Sequence, residues 1–95
     1  MSVKGKATVL NEAGIHCRPS SVILKTVQGY PGEMRVSHPE NGESDLTSML
    51  DLMMMGLTQG TQVDVEVSGP QEEEQLQRVI ELLERIYDFP DAGSS

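Results

Sequence analysis

Apolar and polar residues alternate in three stretches of the chain, and apolar residues recur at helical spacing in three others. In the first stretch Val3, Ala7 and Val9 stand at odd positions with Lys4, Lys6 and Thr8 between them, which predicts a half-buried strand. Asn11-Glu12-Ala13-Gly14 then interrupts it as a loop. Pro19 fits the first turn of a helix, where its missing N–H is not needed. Ile23, Val27 and Tyr30 recur at i, i+4 and i+7, with Val22 and Leu24 widening the stripe, so a helix is predicted from about Pro19 to Gln28, stopped by Gly29. Glu33 to Ser37 alternates again and predicts a strand. Asn41-Gly42 predicts a type I′ hairpin turn, in which both central residues take positive φ, followed by a short strand from Ser44 to Thr47.

Ser48-Met49-Leu50-Asp51 has the spacing of a capping box, with the serine hydroxyl and the aspartate carboxylate each taking an unpaired N–H. Leu50, Met53, Met54 and Leu57 predict a short amphipathic helix ended by Gly56. Val63, Val65 and Val67 alternate with Asp64, Glu66 and Ser68 as the clearest strand. After Pro70, Glu72, Glu73 and Glu74 suit the positive end of a helix dipole. Leu76, Val79, Ile80, Leu83, Ile86 and Tyr87 continue one apolar stripe until Pro90. Residues 1–89 read as one domain and 90–95 as a flexible tail. The predicted order is βαββαβα. Strands with one apolar face and helices with one apolar stripe pack most economically as a single antiparallel sheet with the helices on one face, an α+β architecture.

Composition narrows the function classes. The chain has 95 residues, 37% hydrophobic and 23% charged, an ordinary globular balance and enough for one core. Its formal net charge is −8, which argues against a nucleic-acid partner, because phosphate backbones demand Lys and Arg. One Phe, two Tyr and no Trp leave no platform for stacking bases. No stretch approaches the ~20 apolar residues of a membrane helix, and none follows Met1 that would serve as a secretory signal. A single cysteine, Cys17, makes neither an internal disulfide nor a metal cluster. The expectation is an acidic protein of the cytoplasm that contacts no membrane and holds no metal or cofactor.

The chemistry concentrates in Gly14-Ile15-His16-Cys17-Arg18-Pro19. A histidine stands just before a helix whose first-turn N–H groups are suited to anions. The positive end of the helix disfavours imidazolium, so a neutral ring with a lone pair able to attack phosphorus is expected. Arg18 offers a planar donor fork to the oxygens of a phosphoryl group placed there. On the residues alone, the favoured reading is an exposed loop histidine beside a solvated arginine, since His-x-Arg-Pro is common enough by chance. His38, just before Pro39, has no neighbours at metal-binding spacing and reads as solvent-exposed.

The chain resembles the HPr family, the histidine-containing phosphocarriers of the bacterial phosphoenolpyruvate-dependent phosphotransferase system. The resemblance rests on Gly14-Ile15-His16-Cys17-Arg18-Pro19, on the loop Gly56-Leu57-Thr58-Gln59-Gly60-Thr61, on Ser48 opening the second helix and on the element order, and it spans about Val3 to Tyr87. It implies an open-faced β-sandwich, a four-stranded antiparallel sheet covered by three helices. By position it implies that His16 accepts phosphate on Nδ1 from phospho-enzyme I and passes it to sugar-specific IIA proteins. It further implies that Arg18 assists transfer, and that Ser48 is the serine HPr kinase/phosphorylase modifies in many bacteria. Such a protein is a carrier rather than an enzyme and is expected to be a monomer, exposing one face to successive partners. The backbone amides of Cys17 and Arg18 are the expected phosphate donors, and Leu50, Asp51, Met53 and Met54 the expected partner surface. The alternative is a regulatory module of the same fold, nitrogen-type or controlled through Ser48.

Three departures from the family pattern stand out. Asp51 occupies a position where the family usually has glycine or a basic residue, which either alters partner choice or caps the second helix. Cys17 replaces the usual alanine or threonine, and reads as a small apolar filler or as a thiol open to oxidation. The charge of −8 is acidic for a carrier whose relatives often dock on acidic partners.

Overall fold

The computed structural model describes residues 2–87. Its elements are β1 (Val3–Thr8), α1 (Cys17–Val27), β2 (Glu33–His38), β3 (Gly42–Ser44), α2 (Met49–Met54), β4 (Gln62–Ser68) and α3 (Glu72–Glu84). The βαββαβα order is as expected. The four strands form one antiparallel sheet in the order β1-β4-β2-β3, and the three helices complete an open-faced sandwich.

The register explains the alternation. Val67 faces Val3 on one side and Met34 on the other, and Val65 faces Val36. Val63, Val65, Val67, Val36 and Ala7 are buried under the helices together with Ile23, Leu52, Val79, Leu82 and Leu83. Each such valine, leucine or isoleucine contributes about 1.5–3 kcal/mol by leaving water. Gly5 lets α3 come close, since a Cβ there would stand 3.0 Å from Ile80 Cδ1. The other face of the sheet is polar: Lys6 Nζ meets Asp64 Oδ1 at 2.7 Å and Arg35 Nε meets Glu43 Oε1 at 3.7 Å. Both pairs are exposed and contribute at most about 1 kcal/mol each. At the edge strand β1, the carboxylate of Glu84 accepts the Thr8 N–H at 2.9 Å.

Several details differ from the expected ones. Helix α1 begins two residues before Pro19, which still lies in the first turn. The β2–β3 hairpin is not a type I′ turn: His38 pairs with Gly42, residues 39–41 form the loop, and of the Asn41-Gly42 pair only Gly42 has positive φ. Strand β3 ends at Ser44 rather than reaching Thr47, because Leu46 turns to φ 63° to bury its side chain. On α2 the buried residue is Leu52, with Met55 and Leu57 beyond it, whereas Leu50 and Met54 face solvent. Helix α3 ends at Glu84, so Ile86 leaves the stripe while Tyr87 stays buried and Leu82 joins the core. The expected stop at Pro90 and the tail from residue 90 lie outside the described residues.

Candidate functional site

The loop from β1 to α1 is held against the loop from α2 to β4. Val9 opens the contact by donating its N–H to the Thr61 carbonyl (2.9 Å) and accepting from Gly60 N–H (2.7 Å). Gln59 Nε2 donates to the Leu10 carbonyl at 3.2 Å. Further on, Ile15 N–H donates to the Leu57 carbonyl at 2.9 Å. Gly14 makes this approach geometrically feasible. Its φ is +79°, and a Cβ there would stand 2.3 Å from the Leu57 oxygen. The two sequence motifs, about forty residues apart in the chain, thus form one site.

His16 follows as the N-cap of α1, with extended backbone (φ −109°, ψ −156°). Its carbonyl accepts the Ser20 N–H at 2.9 Å, which starts the helix, and its half-buried side chain makes no capping hydrogen bond. Cys17 and Arg18 therefore present first-turn N–H groups without a helical carbonyl, and Pro19 has none to present. Arg18 is exposed. Cys17 is exposed as well, so the filler reading does not hold: as the first helical residue it points away from the core. A half-buried imidazole followed in the chain by two first-turn amides that no helical carbonyl accepts, and by an exposed arginine, can take an anionic group and hold its oxygens.

Helix α2 leads into the same site through Gly56 and Leu57. Ser48 is its N-cap and its Oγ accepts the Asp51 N–H at 3.3 Å, the serine half of the expected capping box. Asp51 is exposed. Leu50 is 64% and Met54 73% exposed, with Met49 beside them and Met53 half-buried. This is an apolar patch next to the site, with one acidic residue in it. The helix carrying it is also tied to the β2–β3 hairpin, where Asn41 Nδ2 donates to the Met55 carbonyl at 2.6 Å. His38 is not solvent-exposed as expected. It is half-buried, and its Nδ1 accepts the N–H groups of Glu40 (3.1 Å) and Asn41 (3.2 Å), shaping the turn.

A cleft of about 680 Å³ lies away from His16, between the far end of α1 and the start of β2, lined by residues including Lys25, Tyr30, Arg35 and Met49. Among the described residues, no group of three or more His, Cys, Asp or Glu is placed to hold a metal ion. Sequence reasoning passed over Asn11, which is fully buried at the base of the loop. The only signal for it was an asparagine three residues before a glycine, which reads as an ordinary turn former.

Comparison with known proteins agrees with this arrangement. The family model described as "PTS HPr component phosphorylation site" matches residues 3–85. The phosphocarrier protein NPr of Escherichia coli (strain K12) is 35% identical over 88 residues, covering 93% of this chain and 98% of that protein. The phosphocarrier protein HPr of Mycoplasma pneumoniae is 29% identical over 82 residues, covering 86% and 93%. Among solved structures, the phosphocarrier protein HPr from Bacillus anthracis superposes with a TM-score of 0.78 at 14% identity, over 87% of this chain and 98% of that one, a likeness of fold. With the matched segment running from β1 through α3 and including the His16 loop, the chain belongs to the HPr family of phosphocarrier proteins.

Proposed function

We propose that His16 is the phosphoryl-accepting residue of a phosphoenolpyruvate-dependent relay, taking the group from phospho-enzyme I and passing it to a IIA protein. The observation that carries this reading is the placement of His16 as the N-cap of α1, followed by the N–H groups of Cys17 and Arg18 and the Arg18 guanidinium. The Nδ1 lone pair attacks phosphorus in line. A P–N bond forms as the bond to the donor breaks, and the second partner reverses the step. The three phosphoryl oxygens lie toward the two amides and Arg18, so the work of the protein is positioning and charge stabilisation. It carries the group and catalyses no net reaction of its own.

The protein works as a cytoplasmic monomer, docking successive partners on Leu50, Asp51, Met53 and Met54. No described helix is long and apolar enough to cross a membrane. Asp51 within the patch favours partners that meet it with a basic or neutral residue. The greater identity to the NPr relative than to the HPr relative favours the nitrogen-type branch over sugar uptake.

The test is intact mass after incubation with enzyme I and phosphoenolpyruvate, using nitrogen-type and sugar-type enzyme I separately. The expected result is one acid-labile, alkali-stable phosphoryl group, absent in His16→Ala and formed faster with the nitrogen-type donor. No adduct at His16 with either donor, with an acid-stable adduct at Ser48 in a parallel incubation with HPr kinase/phosphorylase and ATP, replaces the carrier by a regulatory module acting through α2.

A further inference from the structure

We infer that Asn11 is a positioning residue for His16, clamping the phosphoryl-accepting loop to the chain that follows α3; the inference rests on the carrier reading above. Asn11 is fully buried. Its Oδ1 accepts the Tyr87 N–H at 2.6 Å and its Nδ2 donates to the Gly14 carbonyl at 2.9 Å. Gly14 N–H returns a bond to the Asn11 carbonyl at 2.9 Å. The chemistry of the neighbours settles the orientation of the carboxamide, since Tyr87 N–H can only donate and the Gly14 carbonyl can only accept. One side chain thus spans two segments 76 residues apart in sequence.

The clamp acts on the peptide that precedes the site. The Gly14–Ile15 peptide is bonded at both ends, its oxygen to Asn11 Nδ2 and its N–H to the Leu57 carbonyl. His16 is the next residue. The far anchor is firm too: Tyr87 is buried, and its hydroxyl donates to the Leu82 carbonyl at 2.7 Å. Only a short carboxamide supplies a donor and an acceptor at these two places. Aspartate keeps the acceptor and loses the donor, and alanine loses both. In-line transfer depends on placement, and an error of about 1 Å in the attacking group costs on the order of 100-fold in rate. Asn11 touches no phosphoryl group and acts through the backbone that carries His16.

The experiment uses the full chain with Asn11→Ala, Asn11→Asp and, as a stability control, Val79→Ala, a core residue of α3. Phosphoryl transfer from enzyme I is measured as maximal rate and apparent KM, alongside amide hydrogen exchange at Gly14, Ile15 and Tyr87 and the ring resonances of His16. Both Asn11 variants are expected to lose about 10- to 100-fold in rate with apparent KM near wild type, with faster exchange at Ile15 and shifted ring resonances. In Asn11→Asp the Tyr87 amide stays protected. Val79→Ala lowers the melting temperature yet keeps a near-wild-type rate and unshifted ring resonances. The inference is overturned if folded Asn11 variants transfer like wild type, or if Val79→Ala loses as much rate. Should wild type accept no phosphoryl group at all, the carrier reading falls. The clamp is then decided by the exchange and ring resonances, and unshifted resonances overturn it.

Discussion

At the scale of single residues, Asp45 shows how a short contact sets a dependence on pH. Its Oδ1 accepts the Thr47 hydroxyl at 2.6 Å and the Thr47 N–H at 3.1 Å. These bonds, the hydroxyl foremost, hold the carboxyl below the usual aspartate range against a small opposing effect of burial. A depressed carboxylate adds stability that is complete above its unfolded pKa, about 3.9, and is lost as pH falls through the folded value. Asp45→Ala is therefore expected to melt below wild type at neutral pH, with the gap closing as the pH is taken from about 3.9 down through the folded value. A gap that stays constant across that range would show that the charge contributes nothing. His16 and Arg18 stand out as candidates at this scale because they are neighbours in the chain and the chemistry proposed for them is local. Asn11 was not. Its partners are a carbonyl three residues on and an amide 76 residues away, and only the folded chain brings the second into reach.

At the scale of elements, α2 separates the residues that hold the fold from those that face outward. Leu52 is fully buried, while Leu50, two residues earlier, is 64% exposed. Leu52→Ala is expected to cost about 2–5 kcal/mol in urea unfolding, as buried leucines do. Leu50→Ala should stay within about 0.5 kcal/mol and instead weaken partner docking. Equal losses from the two variants would contradict the orientation of the helix. The outward side was legible, since Leu50 and Met54 of the expected surface are exposed, but the buried one was not, because Met53, Met54 and Met55 are consecutive and Leu50/Met53/Met54/Leu57 and Leu52/Met55 both satisfy helical spacing on so short an element. The choice is made by the ends, where Ser48 caps one terminus and Leu57 is fixed to Ile15 beyond the other. The shortened β3 was illegible for a related reason: nothing in the residue type of Leu46 announces a positive φ. Strand β4 and helix α3 were legible because their apolar positions admit one orientation over several turns or pleats.

At the scale of the whole molecule, sheet and helices share one buried cluster, from Ala7 and Val9 through Ile23 and Leu52 to Leu83. The expected consequence is a single cooperative transition. Far-ultraviolet circular dichroism and the fluorescence of Tyr30 and Tyr87 should give superimposable urea curves. Two resolved transitions would mean that the helical layer and the sheet come apart separately. The layered architecture was readable from alternation and stripe, but the order β1-β4-β2-β3 was not, since a strand's pattern says which face is buried and not which strand lies beside it. That order leaves β1 at a margin of the sheet, where backbone groups can template another chain. The Glu84 carboxylate on the Thr8 amide occupies that end and sets a negative charge where a second copy's carbonyl would have to approach. A second copy pairing along that seam would have to displace this carboxylate from its amide before the strands could zip together.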